Sequence, residues 1–421
     1  MNLHLQKSRV KNHELKVTIT GSKSETNRLL LLQALYPNLT LDNISNSDDS
    51  EVMQKALQEL SVQAESRTVD VHHAGTAMRF LTAFFAIQEG EEVVLTGSSR
   101  MKERPIKILV EALQQLGVEI SYVENEGFPP IQIKGKKLTH NKVSLPANVS
   151  SQYISALLLI APKLENGLEL TLEGEITSVP YIKMTLALLN EIGVATTFVN
   201  NKITVCYAEL VEASKLTVES DWSSVSYWYS IVALSEIGTQ ITLSSYKKNS
   251  LQGDAALAEI YQDFGVETVF NKNNTITISK AKDCHSNNSE QVKQLSIVNY
   301  QLNNCPDIAQ TIAVTCFGLG IGCDLYGLHT LKIKETDRLE ALKTELTKLG
   351  ANISVTNESL HLKPSTSISE NVSIKTYQDH RMAMAFAPLA LRVPIIIEEA
   401  EVVSKSYPDF WNDLKSVGFQ F

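Results

Sequence analysis

EALQQLGVEISYVENEGFPPIQIKG (Glu111–Gly135) reads as a helix, a stop and a hairpin. Its leucines and alanine fall at helical spacing on one apolar face, and Gly117 stands where a left-handed residue ends a helix. The alternation in VEISY and IQIK then marks two half-buried strands joined by an Asn/Glu/Gly turn. The same sentence recurs as LALLNEIGVATTFVNNKITVCY from Leu186, LAEIYQDFGVETVFNKNNTITISK from Leu257 and LKTELTKLGANISVTNESLHLKP from Leu342. A weaker copy, MQKALQELSVQAESRTVDVHH from Met53, has Ser61 at the glycine position, and a truncated copy, FWNDLKSVGFQF, ends at Phe421. The markers Ser61, Gly117, Gly193, Gly265, Gly350 and Gly418 lie roughly 70 residues apart, which gives six units.

A second set of helices alternates with the first, beginning near Ser24, Thr76, Ser151, Ser224, Asp307 and His380, each shortly after a strand. Each unit is therefore expected to be two helices on a small sheet, with three units to a domain. The last unit lacks its final strands, while HELKVTIT (His13–Thr20) is an alternating strand without a unit of its own. This strand is expected to complete the sixth unit. It places residues 1–20 with 220–421 in one discontinuous domain, and makes 21–219 an inserted domain of three units joined by a double-crossover hinge. CHSNNSEQ (Cys284–Gln291) reads as a surface loop.

Composition bounds what such a chain does. Of 421 residues, 43% are hydrophobic and 20% charged, with a mean hydropathy of −0.07, as in ordinary globular proteins. The net charge, 38 − 47 = −9, argues against a nucleic-acid partner. The longest apolar runs, such as Ile154–Ala161, are too short to cross a bilayer, so no membrane partner is expected. MNLHLQKSRVKNHELK has no signal-peptide core, and the five cysteines contain no CxxC; a cytoplasmic protein with reduced thiols and no metal is expected.

Basic residues gather at the helix starts. GSKSETNRLLLL carries Lys23 and Arg28, HHAGTAMRFL carries Arg79, and NVSSQYISALLL offers Ser150, Ser151 and Gln152. SVPYIKM has Ser178 before Pro180, IKETDRLEAL carries Lys334, Glu335 and Arg338, and YQDHRMAMAF carries Asp379, His380 and Arg381. A helix start exposes unpaired N–H groups and a positive dipole end, and guanidinium forks match carboxylate and phosphate oxygens in pairs. Any one such start is an ordinary cap. Several of them, with Lys and Arg added in an acidic protein, predict a small ligand bearing more than one anionic group.

These motifs resemble a known family. GSKSETNR (21–28), AGTAMR (74–79), SSRMKERPI (98–106), VSSQ (149–152), SVPY (178–181), Pro306-Asp307, KETDRL (334–339), DHRMAMA (379–385) and SKSYPDF (404–410) resemble, in order and over nearly the whole chain, the 5-enolpyruvylshikimate-3-phosphate synthases. The resemblance implies the α/β enolpyruvyl transferase fold, two domains of three βαβαββ units each, with the active site in the cleft between them. It implies transfer of the enolpyruvyl group of phosphoenolpyruvate to the 5-hydroxyl of shikimate 3-phosphate, with loss of phosphate from a tetrahedral intermediate. This is a step of the shikimate pathway of aromatic amino-acid biosynthesis, run without metal or cofactor, and a monomer is expected.

Carried onto matching positions, the resemblance gives Lys23, Gly75, Arg104, Gln152, Arg338, Arg381 and Lys405 to phosphoenolpyruvate. It gives Lys23, Ser24, Arg28, Ser150, Ser151, Gln152, Ser178, Tyr181, Asp307, Thr330 and Lys334 to shikimate 3-phosphate. Asp307 matches the base for the hydroxyl, Glu335 a proton-transfer residue, and Lys23 joins them in the catalytic set; His380 is a minor candidate for orienting the site. The chain departs from the family pattern at His73 (usually Asn), Phe80 (usually Pro), Val179 (often Lys) and Thr330 (often Asn). Two other readings are a sister transferase acting on UDP-N-acetylglucosamine and a non-catalytic phosphate-binding relative. The sister family usually carries a reactive loop cysteine in the inserted domain, whereas no cysteine here precedes Cys206.

Overall fold

The computed structural model describes residues 1–10, 14–58, 67–176, 179–211, 215–283 and 297–421. Two compact units emerge: Gly21–Val218, and Met1–Thr20 together with Glu219–Phe421. The second crossing thus falls between residues 218 and 219, one residue earlier than the sequence placed it.

Within Gly21–Val218 one pattern repeats. Arg67–Asp70 and Glu92–Thr96 run parallel on either side, in sequence, of the Gly75–Ala86 helix. Ile131–Lys134 then pairs antiparallel with Glu92–Thr96, and Glu119–Tyr122 closes the hairpin on the edge. Lys142–Pro146, Leu168–Glu173, Lys202–Val205 and Thr196–Val199 copy that order around the Ser151–Ile160 helix. In the first repeat Thr40–Asp42 pairs in parallel with Lys215–Thr217, so the strand that belongs before the Lys23–Leu35 helix comes from the far end of the unit. The rest of that repeat's hairpin, Ser61 included, lies outside the described residues.

The other unit follows the same rule with a different completion than expected. Glu14–Val17 pairs in parallel with Gln240–Leu243, as first strand of the fourth repeat. Ile276–Lys280 and Val266–Phe270 finish that sheet. Ile297–Gln301, Gly322–Tyr326, Ser359–Leu362 and Ile353–Val355 make the fifth. The sixth is Val372–Ile374 parallel to Ile395–Ile397, and its third strand is Leu3–Leu5, antiparallel to Ile395–Ile397. HELKVTIT therefore does not complete the sixth unit. Its described residues open the fourth, and the shorter LHL ahead of it does the completing, with Leu5 buried in the core. Each crossing supplies a first strand: the chain lays down Glu14–Val17 before entering the insertion and Lys215–Thr217 before leaving it.

The marker glycines end helices as their role requires, with φ between 78° and 117° at Gly117, Gly193, Gly265, Gly350 and Gly418. The alternate helices form the core. Ile154–Ala161 is wholly buried, and Trp222–Leu234 and Ala309–Leu319 are buried almost throughout, as expected of helices apolar on all faces. Lys23–Leu35, Gly75–Ala86 and Ser151–Ile160 pack together inside one unit; Trp222–Leu234, Ala309–Leu319 and His380–Phe386 pack together inside the other. Because each follows a strand of a parallel pair, each begins at the carboxyl end of its strand, where ligands of such folds gather.

Candidate active site

In Gly21–Val218 the three inner helices bring their first turns together. Lys23 and Gly75 are first residues of their helices, and Ser150 caps the third, its Oγ accepting from the Gln152 N–H at 3.4 Å. Gln152 Nε2 donates to Thr76 Oγ1 at 3.1 Å, tying the second start to the third. Arg28 ties the first helix to the rest: Nε donates to Thr185 Oγ1 at 2.8 Å, Nη2 to Ser155 Oγ at 2.9 Å and Nη1 to the Ser24 carbonyl at 2.7 Å. Its guanidinium lies 5.4 Å from the Phe80 ring centre and 5.9 Å from that of Tyr181. Burial pulls the Arg28 guanidinium down to about 10. Phe80, the departure from the family's proline, is thus a wall of the Arg28 pocket.

Gly75 is small because Arg104 lies against it. A Cβ at this position would stand 2.4 Å from Arg104 Nη1 and 2.8 Å from Nη2. Arg79, one turn along, donates to the Gly75 and Pro105 carbonyls at 3.2 and 2.9 Å, and its Nε is buried without a partner. Burial and then the neighbouring Arg104 push the Arg79 guanidinium down to about 10. No described carboxylate pairs with either arginine. Two adjacent guanidinium groups at a helix start, without a counter-charge, form a place for an anion. Lys23 Nζ stands 3.8 Å from Asp49 Oδ2, and His73 Nε2 3.8 Å from Asp48 Oδ2. Ser151 is buried and Tyr181 half-buried beside Arg28, while Ser178 lies outside the described residues.

In the other unit the charges are paired around Asp307. Pro306–Ile308 is a short 3-10 turn running into the Ala309–Leu319 helix, so Asp307 sits at a helix start. Its Oδ1 is 2.8 Å from Arg338 Nη1 and 3.5 Å from Lys334 Nζ, and its Oδ2 is 3.4 Å from Arg381 Nη2. Burial favours the protonated acid, but Lys334, Arg381, Arg338 and His380 outweigh it and hold Asp307 well below the usual carboxylate range. Arg338, only 2% exposed, also binds Glu335 Oε2 at 2.7 Å and Asp379 Oδ2 at 2.6 Å. Burial opposes its charge, yet the carboxylates Asp379, Glu335 and Asp307 raise its affinity for the proton above the usual arginine value. Arg381 donates to the Asp307 carbonyl at 3.2 Å and to Ser223 Oγ at 3.1 Å, with its Nε buried and unpartnered. Ser223 in turn donates to Asp254, whose carboxyl is pushed up to about 6 by burial and then by Asp307.

Lys405 is less enclosed; its Nζ donates to the Gln378 carbonyl at 2.9 Å. Thr330 Oγ1 is buried with no hydrogen-bond partner. The structure thus gathers Asp307, Lys334, Glu335, Arg338 and Arg381 in one cluster, and in the other unit it sets Lys23, Ser24, Gly75, Ser150, Ser151, Gln152 and Tyr181 at helix starts, with Arg28 one turn beyond Ser24 and Arg104 against Gly75. Sequence reasoning gave no role to Asp379, Asp254, Ser223, Ser155 or Thr185. Asp379 had a signal, being the residue before a helix start in QDHRM; its Oδ1 accepts from the Arg381 N–H at 2.9 Å. The other four are short polar residues in apolar surroundings and carry no pattern. Among the described residues no group of three or more His, Cys, Asp or Glu is placed to hold a metal ion, and no helix is long and apolar enough to cross a membrane.

Comparison with known proteins bears on this constellation. The family described as EPSP synthase (3-phosphoshikimate 1-carboxyvinyltransferase) matches residues 8–414. A 3-phosphoshikimate 1-carboxyvinyltransferase of Bacteroides fragilis (strain YCH46) is 45% identical over 412 residues, 96% of each chain. One from Vibrio campbellii is 35% identical over 429 residues, again covering 96% of each. Among solved structures, EPSP synthase from Acinetobacter baumannii superposes with a TM-score of 0.81 at 19% identity, over 100% of this chain and 99% of that one. The enolpyruvyl transferase NikO from Streptomyces tendae gives 0.73 at 13%, over 99% and 96%. Both share the fold.

Proposed function

The chain belongs to the EPSP synthase family, and from that premise we propose how its residues divide the family's work. The reaction is established by the family: the enolpyruvyl group of phosphoenolpyruvate passes to the 5-hydroxyl of shikimate 3-phosphate, and phosphate leaves. The protein is a transferase of the shikimate pathway.

We assign Arg104, Gly75, Gln152, Arg338, Arg381, Lys405 and Lys23 to phosphoenolpyruvate. The single observation that carries this assignment is the unpaired Arg104 laid against Gly75, beside Arg79 and the start of the Gly75–Ala86 helix. Arg28, Ser24, Ser150, Ser151, Ser178, Tyr181, Asp307, Thr330 and Lys334 fall to shikimate 3-phosphate, with Lys23 and Gln152 touching both. The unpartnered Thr330 hydroxyl supports its place in that set. The two substrates between them engage residues of both sets.

Asp307 is the base in this reading. Alone, it is ionised and too well stabilised to take a proton, because Lys334, Arg338 and Arg381 all neutralise it. Anionic substrates compete for those same cations. As Lys334 and Arg381 turn to phosphate and carboxylate oxygens, Asp307 loses counter-charge and its basicity rises toward what a general base needs. It then accepts the proton of the 5-hydroxyl as that oxygen attacks C2 of phosphoenolpyruvate, while C3 gains a proton. Glu335, hydrogen-bonded to Arg338, and Lys23 are the groups we assign to that transfer. Elimination returns a proton from C3 and expels phosphate, leaving the enolpyruvyl ether.

The four described cysteines, Cys206, Cys305, Cys316 and Cys323, are free thiols, which suits a reducing compartment and supports a cytoplasmic location. We take the protein to act as a monomer. Phosphate release from phosphoenolpyruvate, measured with shikimate 3-phosphate and separately with UDP-N-acetylglucosamine, tests the reading. Release with the first acceptor alone, and an enolpyruvyl ether in proton and phosphorus NMR, is expected. Tight binding of both substrates without release would identify a non-catalytic relative.

A further inference from the structure

Glu345 is a carboxylate with no outlet to solvent, two helical turns along the Arg338–Lys348 helix from Arg338 and on the same buried face. Its oxygens accept from Lys348 Nζ at 2.9 and 2.6 Å, from the Lys375 backbone N–H at 3.1 Å and from the Tyr377 hydroxyl at 2.7 Å. Arg338, at the start of the same helix, reaches Asp379. Two buried side chains of opposite charge on one helix therefore grip the two ends of the segment Lys375–Asp379.

Between the grips the backbone is strained. Tyr377 and Gln378 both have φ of 55°, a left-handed conformation that residues with side chains avoid and keep only where surroundings enforce it. What leaves this turn is functional. The Gln378 carbonyl receives Lys405 Nζ, and Asp379 receives Arg338 and caps the helix that begins with His380 and Arg381. The Tyr377 phenol suits such a grip, because burial and then Glu345 push its pKa up to about 12 and it remains a donor at any working pH.

We propose that Glu345, acting through Tyr377, is a positioning residue for the phosphoenolpyruvate cations, holding the left-handed turn that sets Lys405 through Gln378 and Arg338 through Asp379. The inference rests on the assignment of Lys405 and Arg338 given above. An ion pair that merely fills the core would lower stability when broken and leave substrate discrimination alone. A clamp on the turn acts on one substrate.

The experiment is steady-state kinetics on the full chain carrying Glu345→Gln, Tyr377→Phe, Lys405→Met and the Glu345→Gln/Lys405→Met pair. Glu345→Gln and Tyr377→Phe are each expected to raise KM for phosphoenolpyruvate about tenfold and to change KM for shikimate 3-phosphate less than twofold. In the Lys405→Met background the effect of Glu345→Gln should shrink to about threefold, the non-additivity of residues acting through one path. Equal rises in both KM values would overturn the proposal, as would strict additivity in the double variant where Lys405→Met by itself raises KM for phosphoenolpyruvate. Lys405→Met with an unchanged KM would fault the assignment of that lysine; a selective rise in Glu345→Gln would then still support the clamp acting through Arg338. Should Glu345→Gln fail to fold, Tyr377→Phe, which keeps the Glu345–Lys348 pair, decides the matter by the same split.

Discussion

Arg104 lies against Gly75 so closely that a methyl group on that glycine would sit 2.4 Å from Nη1, well inside any real carbon–nitrogen contact. Gly75→Ala must therefore move the guanidinium. Arg104 has no protein counter-ion among the described residues, so this contact and the phosphoenolpyruvate we assign to it would set its place. The variant is expected to raise KM for phosphoenolpyruvate at least tenfold, with KM for shikimate 3-phosphate changed far less. Initial rates with one substrate varied at saturating levels of the other would show it. An unchanged KM would remove Arg104 from the site.

Much of this was open to reading because the chain repeats itself. Helix, glycine and hairpin recur often enough that one clear copy, Glu111–Gly135, interprets the blurred ones. The strand exchange was not open to reading. HELKVTIT and LHL are both short alternating stretches, and nothing local says which sheet edge each joins; that depends on where the chain crosses between units. The site was legible where function needs charge at a helix start, as in KETDR and DHRMAMA. It was illegible where the residue is short and neutral: Ser155 and Thr185 support Arg28 from apolar helices, and only three-dimensional contact reveals them.

Arg28 is enclosed by its partners, and its role divides accordingly. Arg28→Lys keeps a charge but loses the fork that reaches Thr185 and Ser155 together. Both hydroxyls also meet each other at 2.9 Å, so they are left half-served rather than stranded. We expect a destabilisation of about 1–3 kcal/mol and a rise in KM for shikimate 3-phosphate. Phe80→Leu, which removes only the ring face beneath the guanidinium, should give a smaller rise of the same kind. Differential scanning calorimetry alongside kinetics checks both; a stability loss with no effect on KM would make Arg28 a strut alone.

Glu335 is partly exposed and held to Arg338 at 2.7 Å, so an amide of the same shape can keep one acceptor there. Glu335→Gln should therefore bind both substrates within a few-fold of normal and lose about 10²–10⁴ in kcat, as expected for a proton-transfer group acting in the transition state. Equal losses in binding and turnover would instead make Glu335 a partner of Arg338 and nothing more.

Asp254 gives the cluster a pH signature opposite to that of Asp307. With its pKa raised to about 6 by burial and Asp307, the folded protein holds the Asp254 proton more tightly than the unfolded chain does. That preference stabilises the fold at low pH and is lost as pH rises from about 4 through 6, by about 2 kcal/mol between pH 4.5 and 6.5. Asp307, held well below the usual range, works the other way: its contribution is present above about pH 4 and is lost only in stronger acid. Asp254→Asn keeps an acceptor for Ser223 and cannot ionise. Its stability relative to wild type should therefore climb by about that amount across the same interval. Trp222, Trp228 and Trp411 all lie in this unit, so urea titrations followed by tryptophan fluorescence report it directly. A difference between the two proteins that stays constant from pH 4.5 to 6.5 would mean that Asp254 is ionised throughout, paired with Arg381 rather than protonated against Asp307.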